Sequence, residues 1–279
     1  RAGLSVQFER VNQPRHDGST IYLPQITHST TLQELKQLMA SVDHEVAHDR
    51  FSSFDVLKAK KVDPKGILMF VWNFLEDSRI NNIEANEYRG FKENWDEASA
   101  ELIESILTKA KKSTSPSLAG DMATALICWD AQVSAYNFPM IEAIASTYKP
   151  KKKIFDVLSN FSDRLVACHE TLDKKLGTEA TFQLALDILK ELGQNEEELL
   201  KEYPQLKTEG GSGDKKDGKG EKAKEEKGEG DTEAEATGKT GEGSPTGESS
   251  KKAKDDEYKV ITITLSEEDI NKYSSHVHF

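Results

Sequence analysis

The spacing of apolar residues divides the chain into a short β-type front, a long helical body and a stretch with no apolar period. Residues 4–9 alternate as Leu-Ser-Val-Gln-Phe-Glu, and a second run at 19–23 carries Ile21 and Tyr22 before Pro24 stops it. The intervening 12–18 stretch, Asn-Gln-Pro-Arg-His-Asp-Gly, is rich in turn formers, so the two runs predict a small β-hairpin. From position 31 to about 203 the period becomes helical. Thr31 with Glu34 is a capping box, and Leu32, Leu35, Leu38, Met39 and Val42 follow at helical spacing, so this helix runs through His48. Asp63-Pro64 announces a second helix, an acidic cap with proline at the first helical position. Its Ile67, Leu68, Phe70, Val71, Phe74 and Leu75 cover most of the circumference, which predicts burial on more than one side. Further helical patterns cover 96–112, 120–136, 139–147, 153–176 and 178–192, with a short acidic helix at 196–203.

Composition separates the remainder. The 51 residues at 207–257 hold 11 of the 18 glycines, 11 lysines and 15 acids, with alanine as their only apolar residue. Such a segment cannot bury enough surface to offset the entropy of ordering, so it reads as a disordered linker. It contributes −4 of the chain's net charge of −12. Without it the apolar share rises from 36% to about 42%, close to an ordinary globular composition. Beyond it, Tyr-Lys-Val-Ile-Thr-Ile-Thr-Leu at 258–265 reads as a strand, and Ser-Glu-Glu-Asp at 266–269 as a helix start. A lone strand and one helical turn cannot form a domain, so 258–279 either docks back on the front or opens a further domain.

Several classes fall away. No apolar run reaches the roughly 18–20 residues that span a bilayer, and Arg1 opens no signal segment, so the chain reads as soluble and cytoplasmic, without a membrane partner. The absence of an initiator Met points to a fragment or a processed chain. Cys128 and Cys168 sit in separate helical patterns, which argues against a disulfide framework. An acidic balance with no basic patch disfavours nucleic acid. The linker glycines lack the flanking strand and the Gly-Lys-Ser/Thr ending of a phosphate loop.

Chemistry is concentrated on the first two helices. His44-Glu45-Val46-Ala47-His48 separates two imidazoles by about one helical turn, so both project from one face and can share a metal ion. Glu45 can then reach a water activated by the metal, which is the arrangement of a zinc peptidase. The same letters could also be a solvated helix face. On the second helix, Glu76 lies 28 residues after His48 in a run dominated by Phe and Leu. A carboxylate in that setting needs a compensating partner, and a metal would supply one. Asp77 and Arg79 could act behind it, orienting an imidazole or holding Glu76. The alternative for Glu76, Asp77 and Arg79 is a polar helix end with local ion pairs. His16 and His28 read as solvated, and Cys168 and His169 point to different helix faces.

The order of a strand ending Ile-Tyr-Leu-Pro, a His-Glu-x-x-His helix, Phe51 and Phe54 beyond it, and Leu-Glu-Asp-x-Arg-Ile on the next helix resembles the gluzincin-like N-terminal region of cobaltochelatase T-subunit proteins, including versions carried by bacteriophages. The Glu87-Tyr88-Arg89-Gly90-Phe91 stretch is similar to a downstream Tyr-Pro-Gly segment of those proteins, with Arg89 in place of proline. The resemblance covers about residues 15–100 by motif and the rest by layout, since such proteins carry an acidic linker before a von Willebrand factor A domain. It implies an α+β, mainly helical, zincin-like metallopeptidase domain at 1–206, the linker at 207–257, and the start of a von Willebrand factor A-like domain at 258–279. It also implies His44, His48 and Glu76 as Zn2+ ligands and Glu45 as general base. The 19–23 strand would be the edge along which a peptide substrate lies. Tyr88 is the candidate oxyanion-stabilising hydroxyl, with a packed surface aromatic as its alternative. The family offers a second role, in cobalamin biosynthesis, where a chelatase accessory subunit serves as a platform for a ring ATPase partner.

Limited proteolysis should cut first within 207–257, and protection of that stretch would refute the linker assignment.

Overall fold

A computed structural model describes residues 5–9, 15–16, 20–61, 63, 65–113, 117–193, 201, 203, 265, 269 and 272–273. The expected linker at 207–257, most of the 196–203 helix and most of the 258–265 strand lie outside them. The described residues form a mainly helical body with a small N-terminal sheet. They belong to one unit, Arg1–Glu209 with Lys259–Phe279.

The sheet departs from the expected hairpin. β1 (Ser5–Glu9) and β3 (Thr20–Pro24) pair in parallel, Ser5 opposite Thr20 and Glu9 opposite Pro24. The turn-rich connection itself contains a short strand, β2 (Arg15–His16), antiparallel to β3 on its other side. A hairpin requires a tight turn. Here the connection is long enough for the chain to double back through β2 first. The order β1-β3-β2 makes β3 the central strand, so the 19–23 run is not the open edge on which a peptide was expected to lie. Ile21 and Leu23 of β3 are buried, whereas Val6 and Phe8 of β1 are about half exposed.

α1 (Leu32–Phe51) starts at the capping box as read. Glu34 N–H donates to Thr31 Oγ1 at 3.2 Å, and Thr31 N–H donates to Glu34 Oε2 at 2.6 Å. A short α2 (Phe54–Lys60) follows Ser52 and Ser53. α3 (Ile67–Glu87) begins later than the Asp63-Pro64 signal suggested, because Asp63 caps a turn, accepting from Lys65 N–H at 3.0 Å, and Gly66 is the helix cap. α4 (Arg89–Lys112) starts well before the predicted 96–112 pattern, whereas α5 (Leu118–Val133) and α6 (Pro139–Ala145) lie close to the predicted 120–136 and 139–147.

The expected 153–176 helix is three pieces. α7 (Lys152–Ser159) stops at Asn160, α8 (Ser162–His169) ends before an irregular 170–173 stretch, and α9 (Lys174–Gly193) then begins. Asp173 starts α9 by accepting from Leu176 N–H at 2.8 Å. Gly177, which looked like a boundary, lies inside that helix.

α3 is the axis of the body, contacting α1, α4, α8 and α9, while α5 packs on α4, α6 and α7. Every residue of α3 from Leu75 to Ala85 is buried, polar ones included. Such a run needs internal partners for each polar group, and those partners make the site described below. Leu265 N–H donates to Lys65 O at 2.9 Å, Ser117 Oγ donates to Asp269 Oδ1 at 3.2 Å, and the buried Tyr273 ring lies against Gly120. Cys128 and Cys168 are buried free thiols. Among the described residues no helix is long and apolar enough to cross a membrane.

Gly177 is required by packing. A Cβ there would lie 2.3 Å from Arg79 Nη1 and 2.6 Å from Arg79 Cζ, while one at the exposed Gly90 would meet nothing within 4 Å. Gly177→Ala should therefore destabilise the chain by about 3 kcal/mol, whereas Gly90→Ala should be neutral or slightly stabilising. Thermal denaturation of the two variants checks this; equal melting temperatures would exclude close packing of Arg79 on α9.

Candidate metal centre

Helical spacing on α1 brings His44 and His48 together, with ring centroids 4.7 Å apart and the rings nearly perpendicular. Both are almost fully buried. The third residue facing them is Asp77 of α3. Its Oδ1 lies 3.1 Å from His48 Nε2 and 3.6 Å from His44 Nε2. The metal-ligating atoms of His44, His48 and Asp77 all fall within 4.8 Å of one another, so the cluster can hold a metal ion.

The outer nitrogens of both rings are committed to partners. His44 Nδ1 lies 2.8 Å from Asn81 Oδ1, a carbonyl oxygen that only accepts. His44 therefore carries its proton on Nδ1 and turns the Nε2 lone pair inward. His48 Nδ1 lies 2.9 Å from Ser52 Oγ, and Ser52 donates its single proton to Glu76 Oε1 at 2.7 Å. Ser52 must then accept from His48 Nδ1–H, which leaves the His48 Nε2 lone pair facing Asp77 Oδ1. Two acceptors at 3.1 Å repel unless a proton or a cation stands between them. The donor set of two imidazole nitrogens and one carboxylate, with each imidazole held by a hydrogen bond from its far side, suits a transition-metal ion.

Electrostatics favour the neutral, proton-bridged form when no cation is present. Burial lowers both His44 and His48 to about 4, so neither imidazole is charged at neutral pH. Burial likewise raises Asp77 to about 7, which places the bridging proton on its carboxyl. Glu45, 4% exposed, is raised to about 8 by burial first and by the Asp77 charge second. Among the described residues Glu45 makes no hydrogen bond or ion pair.

Glu76, the carboxylate expected as third ligand, has another task. Its Oε1 accepts from Ser52 Oγ, from Arg79 Nη2 at 2.7 Å and from Thr178 Oγ1 at 2.9 Å; Oε2 accepts from Arg79 Nε at 3.0 Å and Thr181 Oγ1 at 2.7 Å. With five donors on two oxygens, no lone pair is left for a metal. Burial alone would raise this carboxyl, but the Arg79 guanidinium and the hydroxyls outweigh it and hold Glu76 below its usual range. Arg79 is itself fully buried and also donates to the Phe51 carbonyl at 2.7 Å and the Thr171 carbonyl at 2.9 Å. Glu76 thus reaches the centre only through Ser52 and His48, and the expected roles of Glu76 and Asp77 are exchanged.

Tyr88 is not at the centre. It caps the C-terminal end of α3 eleven residues beyond Asp77, about 16 Å along the helix axis, is half exposed, and has Arg50 over its ring at 5.1 Å. This is the packed surface aromatic rather than the oxyanion donor. His28 is exposed. His169 bonds Ser78 Oγ at 2.8 Å, and Ser78 donates to Asp130, a tie between α3, α5 and α8.

Three contributors escaped sequence reasoning. Ser52 stands four positions after His48 and Asn81 four after Asp77, so helical spacing alone could have proposed both. Trp95 of α4 stacks on His44, centroids 4.8 Å apart and 14° between planes, and no local pattern announces it. Trp95 also walls a chamber of about 60 Å³ reached by Asp77 and Asn81. No family model, curated protein or solved structure matches the chain.

The shifted carboxyls imply a pH dependence for the metal-free chain. Asp77 and Glu45 hold their protons more tightly when folded, about 7 and about 8, than their ordinary 3.8 and 4.5. The stability they lend is full at low pH and is lost as pH rises through those folded values. The buried histidines, lowered from 6.5 to about 4, run the other way, but most of their contribution is already present by about pH 6.5, so the carboxyls dominate above it. Chelator-treated protein should resist urea less at about pH 9 than at about pH 6.5. An unchanged midpoint would show that these carboxyls are not protonated in the fold.

Proposed function

We propose that the chain is a metallohydrolase of zincin type that cleaves peptide bonds, with His44, His48 and Asp77 as the metal-binding residues. The observation that carries this reading is the pair of inward lone pairs, His48 Nε2 and Asp77 Oδ1 at 3.1 Å, beside the second inward nitrogen of His44. Zinc is the ion this donor set suits best, since two histidines and one carboxylate leave a coordination position open.

A bound cation supplies Lewis acidity for attack on an amide carbonyl. The rest of the chemistry falls to the chain. Glu45 is the general base: its carboxylate accepts a proton from the attacking water and delivers it to the departing amine nitrogen, so the proton is conserved as the C–N bond breaks. Burial raises Glu45 to about 8, and a cation held by His44, His48 and Asp77 would favour its ionised form near neutrality. Asn81 and Ser52 fix the two rings, and Glu76, held by Arg79, fixes Ser52. Stacking of Trp95 on His44 shields one face of the ligand ring from water.

Purified protein should contain about one equivalent of zinc, and His48→Ala and Asp77→Asn should each weaken binding about a hundredfold or more. Affinity should rise with pH through about 7, because the cation displaces the Asp77 proton. Glu45→Gln should keep the metal and lose peptide hydrolysis by a factor of about 10²–10⁴. Metal-free wild type that cannot be reloaded, or equal cleavage by Glu45→Gln, would exclude the mechanism.

A further inference from the structure

A cavity of about 540 Å³, the size of a ligand cleft, lies between α1 and α4. Trp95, the indole that stacks on His44, is one of its lining residues. The cleft and the His44–His48–Asp77 cluster therefore share one side chain, Trp95. Ser41 on its wall precedes His44 and Glu45 by one helical turn, so the cleft and the centre share the α1 face.

The lining has three kinds of surface. Ile26, Leu38 and Leu102 supply apolar lining, and Ser41 and Ser99 supply polar lining. The charged members are Glu34 and Glu101, and among the described lining residues there is no Lys, Arg or His. Glu101 Oε2 accepts from Gln37 Nε2 at 3.2 Å, and Glu34 caps α1 through Oε2. Neither acid has an ion pair among the described residues. Lys36, on the same seam, is already paired with Glu97 at 2.6 Å.

We infer that this cleft binds an extended peptide segment bearing a basic side chain, whose aliphatic stem lies against Leu38 and Leu102 and whose cationic head pairs with Glu34 and Glu101. A lysine or arginine side chain combines these two surfaces in one group, an apolar stem and a charged end. An acidic peptide would meet uncompensated carboxylates, and a purely apolar one would leave them unused. This specificity rests on the hydrolase reading for its meaning as substrate selection, while the binding itself does not require the metal.

The test uses the full chain and two short blocked peptides that differ only at one internal position, lysine in one and norleucine in the other. Binding is followed by calorimetry at low ionic strength, where charge pairing is least screened. The lysine peptide should bind about tenfold or more tightly than its norleucine twin. That preference should vanish in the double variant Glu34→Gln and Glu101→Gln, in which glutamine at position 34 can still complete the capping box. An unblocked norleucine peptide, whose only cation is its N-terminus, should bind as weakly as the blocked one. Equal binding of all three peptides, no binding of any, or a preference that survives in the double variant would each overturn the inference. His48→Ala separates the two claims. Loss of metal with retained lysine preference supports the cleft independently of the centre, whereas metal-loaded wild type without that preference overturns the cleft alone.

Discussion

The buried ion pair between Glu76 and Arg79 is the constraint on which the rest of the site depends. Both side chains are fully buried, so neither charge survives without the other and a full set of hydrogen bonds. The cage that satisfies them draws on distant parts of the chain: Ser52 and the Phe51 carbonyl after α1, Thr171 before α9, and Thr178 and Thr181 on α9. Because the penalty for leaving any of these groups unpaired is large, the cage fixes where α1 ends and how closely α9 approaches α3. Gly177 is the steric counterpart, the place where α9 gives up a side chain to admit the guanidinium.

That constraint propagates to the His44–His48–Asp77 cluster through a single hydroxyl. Glu76 takes the Ser52 proton, Ser52 then takes the His48 proton, and the His48 lone pair is turned toward Asp77. A structural ion pair thereby sets the tautomer of a histidine in the cluster that could hold a metal ion. Asn81 does the same for His44 with one hydrogen bond. Both rings are consequently oriented by hydrogen bonds from their far sides, and the two lone pairs facing each other at hydrogen-bonding distance call for a proton or a cation between them.

Much of this was readable along the chain. Thr31 and Glu34 located the start of α1, and the four-residue interval located the two imidazoles on one face, because both are properties of a single helix. The apolar circumference of α3 correctly implied burial on several sides. Strand pairing was less readable: the alternation at 4–9 and 19–23 gave two strands, but direction depends on the path of the connection, and β2 within it made the long pair parallel. The breaks at 160–161 and 170–173 were hidden for a similar reason, since the flanking residues keep helical spacing and only packing decides where a helix turns away.

What the sequence by itself determined is the local chemistry: a capped amphipathic helix carrying His44, Glu45 and His48 in register, and an acidic pair, Glu76 and Asp77, on a second helix. Which of those two carboxylates faces the histidines was decided by the tertiary structure. Neighbouring residues on a helix point about 100° apart, and no local rule ranks one direction over the other. α9 brings Thr178, Thr181 and the space at Gly177 to one side of α3, and this side takes Glu76 with Arg79. α1 occupies the other side, and Asp77 is left facing the imidazoles. The choice belongs to the packing of three helices, far apart in sequence, around one buried pair of charges.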